Sequence, residues 1–166
     1  MTDFDDFVRG RGGALLRFGY LLCGDRHRSQ DLVQEALVRC HQRWRRIEGL
    51  GGPEAYVRKA ILRQFLSWRR RRSSAETPSD ELPDHGTGGD FAARLAEQDA
   101  MRMALTSLPK RQRAVLVLRY YEDLPDQAIA ELLGCSASTV RVHMSRALAA
   151  LRGRPEFADV VVRRST

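Results

Sequence analysis

Two stretches of this chain hold residue types suited to gripping nucleic acid, and neither holds a set suited to making or breaking bonds. From Arg39 to Arg72 there are eleven basic residues against two acids, Glu48 and Glu54, with Trp44, Tyr56, Phe65 and Trp68 interleaved. Guanidinium groups neutralise phosphates and aromatic faces stack on bases, the pairing that single-stranded nucleic acid requires. Taken singly, each of Trp44, Phe65 and Trp68 is better read as a core residue. The functional reading rests on their combination with the basic density and with the glycine-rich loop Gly49–Gly52 just before. The second stretch runs from Pro125 to Val140. Ile129, Leu132 and Leu133 form the inner face of a short helix, Gly134 supplies a left-handed turn, Ser136 caps the next helix and Val140 anchors it. This is the pattern of a helix-turn-helix. With Val140, Met144, Ala147, Leu148 and Leu151 inward, the last helix turns Ser138, Thr139, Arg141, Val142, Ser145 and Arg146 outward, and no acid lies between Ser136 and Arg152. Arginine for base edges and phosphates, with small residues for close approach, is what a major-groove reader needs. An ordinary amphipathic helix with solvated arginines remains the alternative for that segment alone. His143 lies near the same face and suits solvent or a phosphate.

Other chemistry finds little to work with. Cys23, Cys40 and Cys135 are far apart and form no zinc spacing with histidine, so reduced thiols buried in helices are expected. There is no phosphate loop or nucleophile elbow, and His27, His41 and His143 lack partners at catalytic spacing. The reading is therefore of a protein that is not an enzyme, with no metal, no cofactor and no small-molecule substrate. The net charge of +7 over 166 residues, with a pI near 10, points to a polyanionic partner. Of the 28 basic residues only Lys59 and Lys110 are lysines. The start, Met1-Thr2-Asp3-Phe4-Asp5, is acidic, unlike a secretory leader, and the apolar runs are too short to span a bilayer. A cytoplasmic protein without membrane insertion is expected.

The elements that must position these residues are all helical, since apolar residues recur at helical spacing and no strand alternation is sustained. A first helical region is predicted from Phe4 to Leu22, interrupted around Gly10 to Gly13 and ended by Gly24. A second should run from Ser29, as N-cap, to Arg46, with Leu32, Ala36, Leu37, Cys40 and Trp44 on one face. Pro53 suits the first turn of a third, which carries Tyr56, Val57, Ile61, Phe65, Leu66 and Trp68. Residues 73–90 are rich in Ser, Pro and Gly, and Glu76 to Asp90 holds five acids with no Lys or Arg, the composition of a flexible acidic linker. Further helices are predicted over Phe91 to Leu108, from Pro109, over Leu124 to Leu133 and from Ser136 to Arg152. The fold class is all-α: two small helical domains, 1–72 and 91–153, joined by the linker 73–90 and followed by a tail, 154–166.

Over nearly its whole length the sequence resembles the extracytoplasmic-function, or group IV, sigma factors of the sigma-70 superfamily, and most of all their compact actinobacterial sigma-E-like branch. Asp31-Leu32-Val33-Gln34-Glu35-Ala36-Leu37 with Trp44 looks like the second helix of sigma domain 2, and Leu108-Pro109-Lys110-Arg111-Gln112-Arg113 like the start of domain 4. The resemblance implies a subunit that lends RNA polymerase its promoter specificity and takes part in melting and initiation. Asp31, Gln34, Glu35, Val38 and Arg39 would bind core polymerase on the β′ clamp helices, and domain 4 would meet the β flap. The loop Ile47 to Ala55 and the residues Tyr56, Arg58, Lys59, Arg63, Gln64, Ser67, Trp68, Arg70 and Arg71 would open and hold the −10 element. A flipped base there costs a few kcal/mol of stacking that a pocket must return. Ser138, Thr139, Arg141, Val142, Ser145 and Arg146 would read the −35 element. The linker would lie in the path of the template strand, and the family's usual control implies an anti-sigma factor. Gln64 and Ser67 stand where many members carry Asn and Asp, and Pro125 stands where a Ser or Thr is usual. A repressor or response-regulator output domain acting without core polymerase would explain the helix-turn-helix. It would not explain the Asp31 to Leu37 motif or the basic, aromatic helix after it.

Overall fold

The computed structural model describes residues 3–50, 52–68 and 99–155, and among these only helices are found. The chain divides into two compact units, Met1–Ser73 and Ser74–Thr166. The expected linker 73–90, the run Arg69 to Arg72 and the tail after 155 lie outside the described residues.

The first unit contains α1 (Phe4–Cys23), α2 (Arg26–His41), the short α3 (Trp44–Glu48) and α4 (Pro53–Ser67). Helix α1 packs chiefly on α2, and α2 on α4. The core consists of Phe7, Leu15, Phe18 and Leu22 from α1, Leu32, Val33, Ala36 and Cys40 from α2, and Val57, Ile61, Leu62 and Phe65 from α4. Contrary to the expected interruption, α1 runs unbroken through Gly10, Gly12 and Gly13. An interior glycine costs a helix about 1 kcal/mol relative to alanine. Here the buried stripe on either side, Phe7 below and Leu15 to Leu22 above, offsets that cost. Gly19 in the same helix has a packing reason: a Cβ there would stand 3.1 Å from Val33 Cγ2, so its absence allows α1 and α2 to cross closely.

Two boundaries also differ. The N-cap of α2 is Asp25, whose carboxylate accepts from the Arg28 backbone N–H at 2.9 Å, while the expected cap, Ser29, lies one turn inside and is buried. The predicted long second helix stops at His41, and α3 turns away so that Trp44 can pack against Phe7 and, edge-on, against Phe4. Pro53 does open α4, and Gly24 ends α1 in the left-handed region at φ 71°, accepting the role expected of it.

The second unit holds α5 (described over 99–106), α6 (Lys110–Tyr120), α7 (Asp126–Leu133) and α8 (Ala137–Leu151). Helix α6 is buried on every side from Ala114 to Leu118 and is the centre around which the others pack. Ala104, Leu105 and Leu108 meet it from the α5 side, and Ile129, Ala130, Leu133, Val140, Ala147 and Leu151 complete the core. Arg113 fastens the sharp α5–α6 turn, its guanidinium donating to the carbonyls of Thr106 at 3.1 Å and Leu108 at 2.9 Å. Those are carbonyls that a helix end leaves without intrahelical donors.

Candidate polymerase and nucleic-acid surfaces

Helix α2 buries Leu32, Val33, Ala36 and Cys40, and its 3.6-residue period then forces Asp31, Gln34, Glu35, Val38 and Arg39 outward. All five residues expected to dock are exposed, and Val38 shows 60% of its surface. One of them has a second engagement: the Glu35 carboxylate accepts a hydrogen bond from the side-chain amide of Gln64 on α4.

That bond changes the picture of α4. Gln64 was expected to face the −10 strand, but it is only 8% exposed, held between α4 and α2 by Glu35. Its register explains the placement, since it lies one turn beyond Ile61 and beside Phe65 on the core face. Arg63 and Ser67 are exposed, Lys59 and Tyr56 half-buried. The Ser67 hydroxyl donates back to the Gln64 carbonyl at 2.9 Å. Trp68 is half-buried, with the Arg28 guanidinium 5.9 Å from its ring centroid. Trp44 and Phe65 belong to the core, so of the interleaved aromatics Tyr56 and Trp68 are those with surface to offer.

Arg58 pairs with Glu54 at 2.7 Å, one turn before it, and Arg11 from α1 hydrogen-bonds the same carboxylate. The Arg11 hydrogen bond, with the charges of Arg58 and Arg11, holds Glu54 below the usual carboxylate range against the opposing effect of burial. Sequence reasoning missed this clamp because Arg11 and Glu54 are distant in the chain. Arg70 and Arg71 lie outside the described residues.

On α8 the residues expected to read DNA lie mostly on the solvent side. Ser138, Arg141, Val142, Ser145 and Arg146 are exposed, and Thr139 is half-buried. Thr139 has local work: its backbone N–H donates to the Ser136 hydroxyl at 3.1 Å, and its own hydroxyl lies 2.9 Å from the same oxygen. Met144 and Leu148, expected fully inward, are half-buried, and the inner face is carried by Val140, Ala147 and Leu151. His143 is half-buried beside this surface, and desolvation together with the charges of Arg111 and Arg146 lowers its pKa. The turn before α8 is as the sequence implied, with Gly134 at φ 66°.

Sequence comparison decides what these surfaces belong to. The family description "Sigma-70 region 2" matches residues 7–75, and "Sigma-70, region 4" matches residues 98–151. The chain is a sigma factor of the sigma-70 family. It is 37% identical to the RNA polymerase sigma-E factor of Streptomyces avermitilis over 98% of this chain and 90% of that protein. It is also 37% identical to the sigma-E factor of Streptomyces coelicolor, over 92% and 85% respectively. Among solved structures, the sigma factor RpoE of Bartonella quintana, crystallised in complex with the anti-sigma factor NepR, shares its fold with a TM-score of 0.70. That match covers 98% of both chains at 21% identity.

Within this sigma factor the two matched regions coincide with the two units that carry the α2 surface and the α8 surface. Among the described residues no group of His, Cys, Asp and Glu could hold a metal, and no helix is long and apolar enough to cross a membrane. Cys40 is buried, and burial raises its thiol pKa, while Cys23 and Cys135 are half-buried rather than buried as expected.

Proposed function

We propose that this sigma factor docks on core RNA polymerase through the outer face of α2 and directs it to promoters, without catalysis of its own. The observation that carries the reading is that Asp31, Gln34, Val38 and Arg39 form an exposed row that the unit's own packing leaves unused. An apolar residue as exposed as Val38, set in a polar surround, suits burial against a partner. Arg63, Ser67, Tyr56, Lys59 and Trp68 on α4, with Arg70 and Arg71 beyond it, are then the residues that meet the −10 strand. Arg58 takes part only while it also serves Glu54, and Gln64 is removed from the set because Glu35 holds it in the seam. Arg141, Val142, Ser145, Arg146 and Ser138 on α8 read the −35 element in the major groove. The protein works where the polymerase does, in the cytoplasm, as two units tethered by the acidic residues 73–90. An anti-sigma factor belongs to the same reading, supported by the Bartonella relative's complex, and exposed Val38 and Val142 are surfaces that such a partner would cover.

The test is co-purification with bacterial core polymerase. Asp31→Arg combined with Gln34→Ala should abolish co-migration while melting within a few degrees of wild type, since exposed changes shift stability by about 0.5 kcal/mol or less. Glu35 is left intact in that variant because of its bond to Gln64. Retention of full affinity for core would remove α2 as the docking helix.

A further inference from the structure

Resting on the placement of α8 in the major groove, we propose that Asp126 is the positioning residue of promoter readout. It is held by Arg119, and it holds Arg141 toward a base edge and away from the phosphate backbone. Asp126 is the first residue of α7, and its side chain is 24% exposed. Its Oδ1 accepts from Arg119 at the C-terminal end of α6, and its Oδ2 lies 4.0 Å from Nη1 of Arg141 on α8. Helix α8 carries no acid of its own, so the carboxylate that reaches its reading face comes from the neighbouring helix.

The two contacts differ in kind. The hydrogen bond to Arg119 fixes how the carboxylate is turned. The looser pair with Arg141, whose side chain is 63% exposed, steers that guanidinium without using up its donors. A free arginine at the groove mouth samples many rotamers and takes whichever phosphate it meets. One end held beside a carboxylate leaves the remaining N–H fork aimed outward, the geometry that matches guanine O6 and N7. The same negative charge repels an approaching phosphate. Asp126 therefore lowers overall DNA affinity and raises discrimination at one position.

The experiment measures promoter binding by the holoenzyme over a range of salt concentrations, on templates altered singly in the upstream element. Wild type is compared with Asp126→Asn, Arg141→Ala, the double variant, Asp126→Glu and Arg119→Gln. Asp126→Asn should flatten preference about five- to tenfold at the position Arg141→Ala flattens, within the lower part of the range a base-reading arginine commands. It should also steepen the log-affinity against log-salt slope by about 0.9, as Arg141 becomes free to neutralise a phosphate. The double variant should be no flatter than Arg141→Ala alone, and Asp126→Glu should restore part of the preference. Arg119→Gln, which frees the carboxylate without altering α7, should flatten the same position, and it serves as the second route if Asp126→Asn melts early. The proposal is overturned if Asp126→Asn leaves ranking and salt slope unchanged, or if it and Arg119→Gln weaken all templates alike. If Arg141→Ala itself leaves the ranking intact, the placement of α8 in the groove fails, and the role of Asp126 fails with it.

Discussion

Replacing Gln64 by alanine separates the role its sequence position implies from the role its surroundings give it. Gln64 is 8% exposed, and its amide donates to the Glu35 carboxylate. A hydrogen bond to a charged group contributes roughly 1.5–3 kcal/mol, and the lower end applies because Glu35 is open to water. Loss of the buried methylene adds about 0.8 kcal/mol, for a total near 2 kcal/mol. For a domain of this size, 1 kcal/mol moves the melting temperature by about 4–8 °C, so the transition of the first unit should fall by roughly 8–16 °C. A Glu35→Ala partner closes a double-mutant cycle, and the two single effects should overlap by about 1 kcal/mol instead of adding. Calorimetry of the full chain provides the stabilities, and holoenzyme binding to templates altered in the −10 element provides the readout of preference. Gln64→Ala should lower the melting temperature and leave the −10 ranking as it was. An unchanged melting temperature with an altered ranking would show that Gln64 reaches the strand after all, and the reasoning from burial would be wrong.

Ser136→Ala removes the acceptor that caps α8 and should destabilise the second unit by about 1 kcal/mol, seen as a lower urea midpoint with unchanged slope. Arg11→Ala should destabilise the first unit at neutral pH, with a gap from wild type that closes in acid. Glu54 has a folded pKa depressed chiefly by its hydrogen bond from Arg11, so its contribution is complete above the unfolded pKa and lost as pH falls through the folded one. Urea titrations of both proteins at pH 7 and near pH 3 would show this, and a gap of constant size would mean that Arg11 acts through packing alone.

What was legible in the sequence is what local pattern can carry. The helix-turn-helix was readable because its devices are consecutive: Ile129 and Leu133 inward, Gly134 in the left-handed turn, Ser136 as cap. The inner face of α2 was readable from helical spacing, as Leu32, Ala36 and Cys40 are buried, whereas the docking row on its outer face came from the resemblance to the sigma-factor family. Where tertiary packing outweighs local preference, the reading failed. Helix α1 passes through Gly10 to Gly13 because its flanks are buried, and α2 stops early because Trp44 is drawn onto Phe4 and Phe7. Partners far apart in the chain were invisible for the same reason. Nothing in the local pattern pairs Glu35 with Gln64, Arg11 with Glu54, or Asp126 with Arg141, and each of these pairs redefines a residue in a candidate surface.

The seam between α2 and α4 has a mechanical consequence. Two helices packed ridge into groove can change register only by whole ridges, and a step of one turn is about 5.4 Å. This seam is pinned at two points along its length, Glu35 with Gln64 and Arg28 against Trp68. The two pairs run in opposite directions along the chain and lie two turns apart on α2. A slip by one turn breaks both at once. A displacement of α2 therefore carries α4 with it, so the outward row of one helix and the exposed Arg63 and Ser67 of the other move as a single stiff plate.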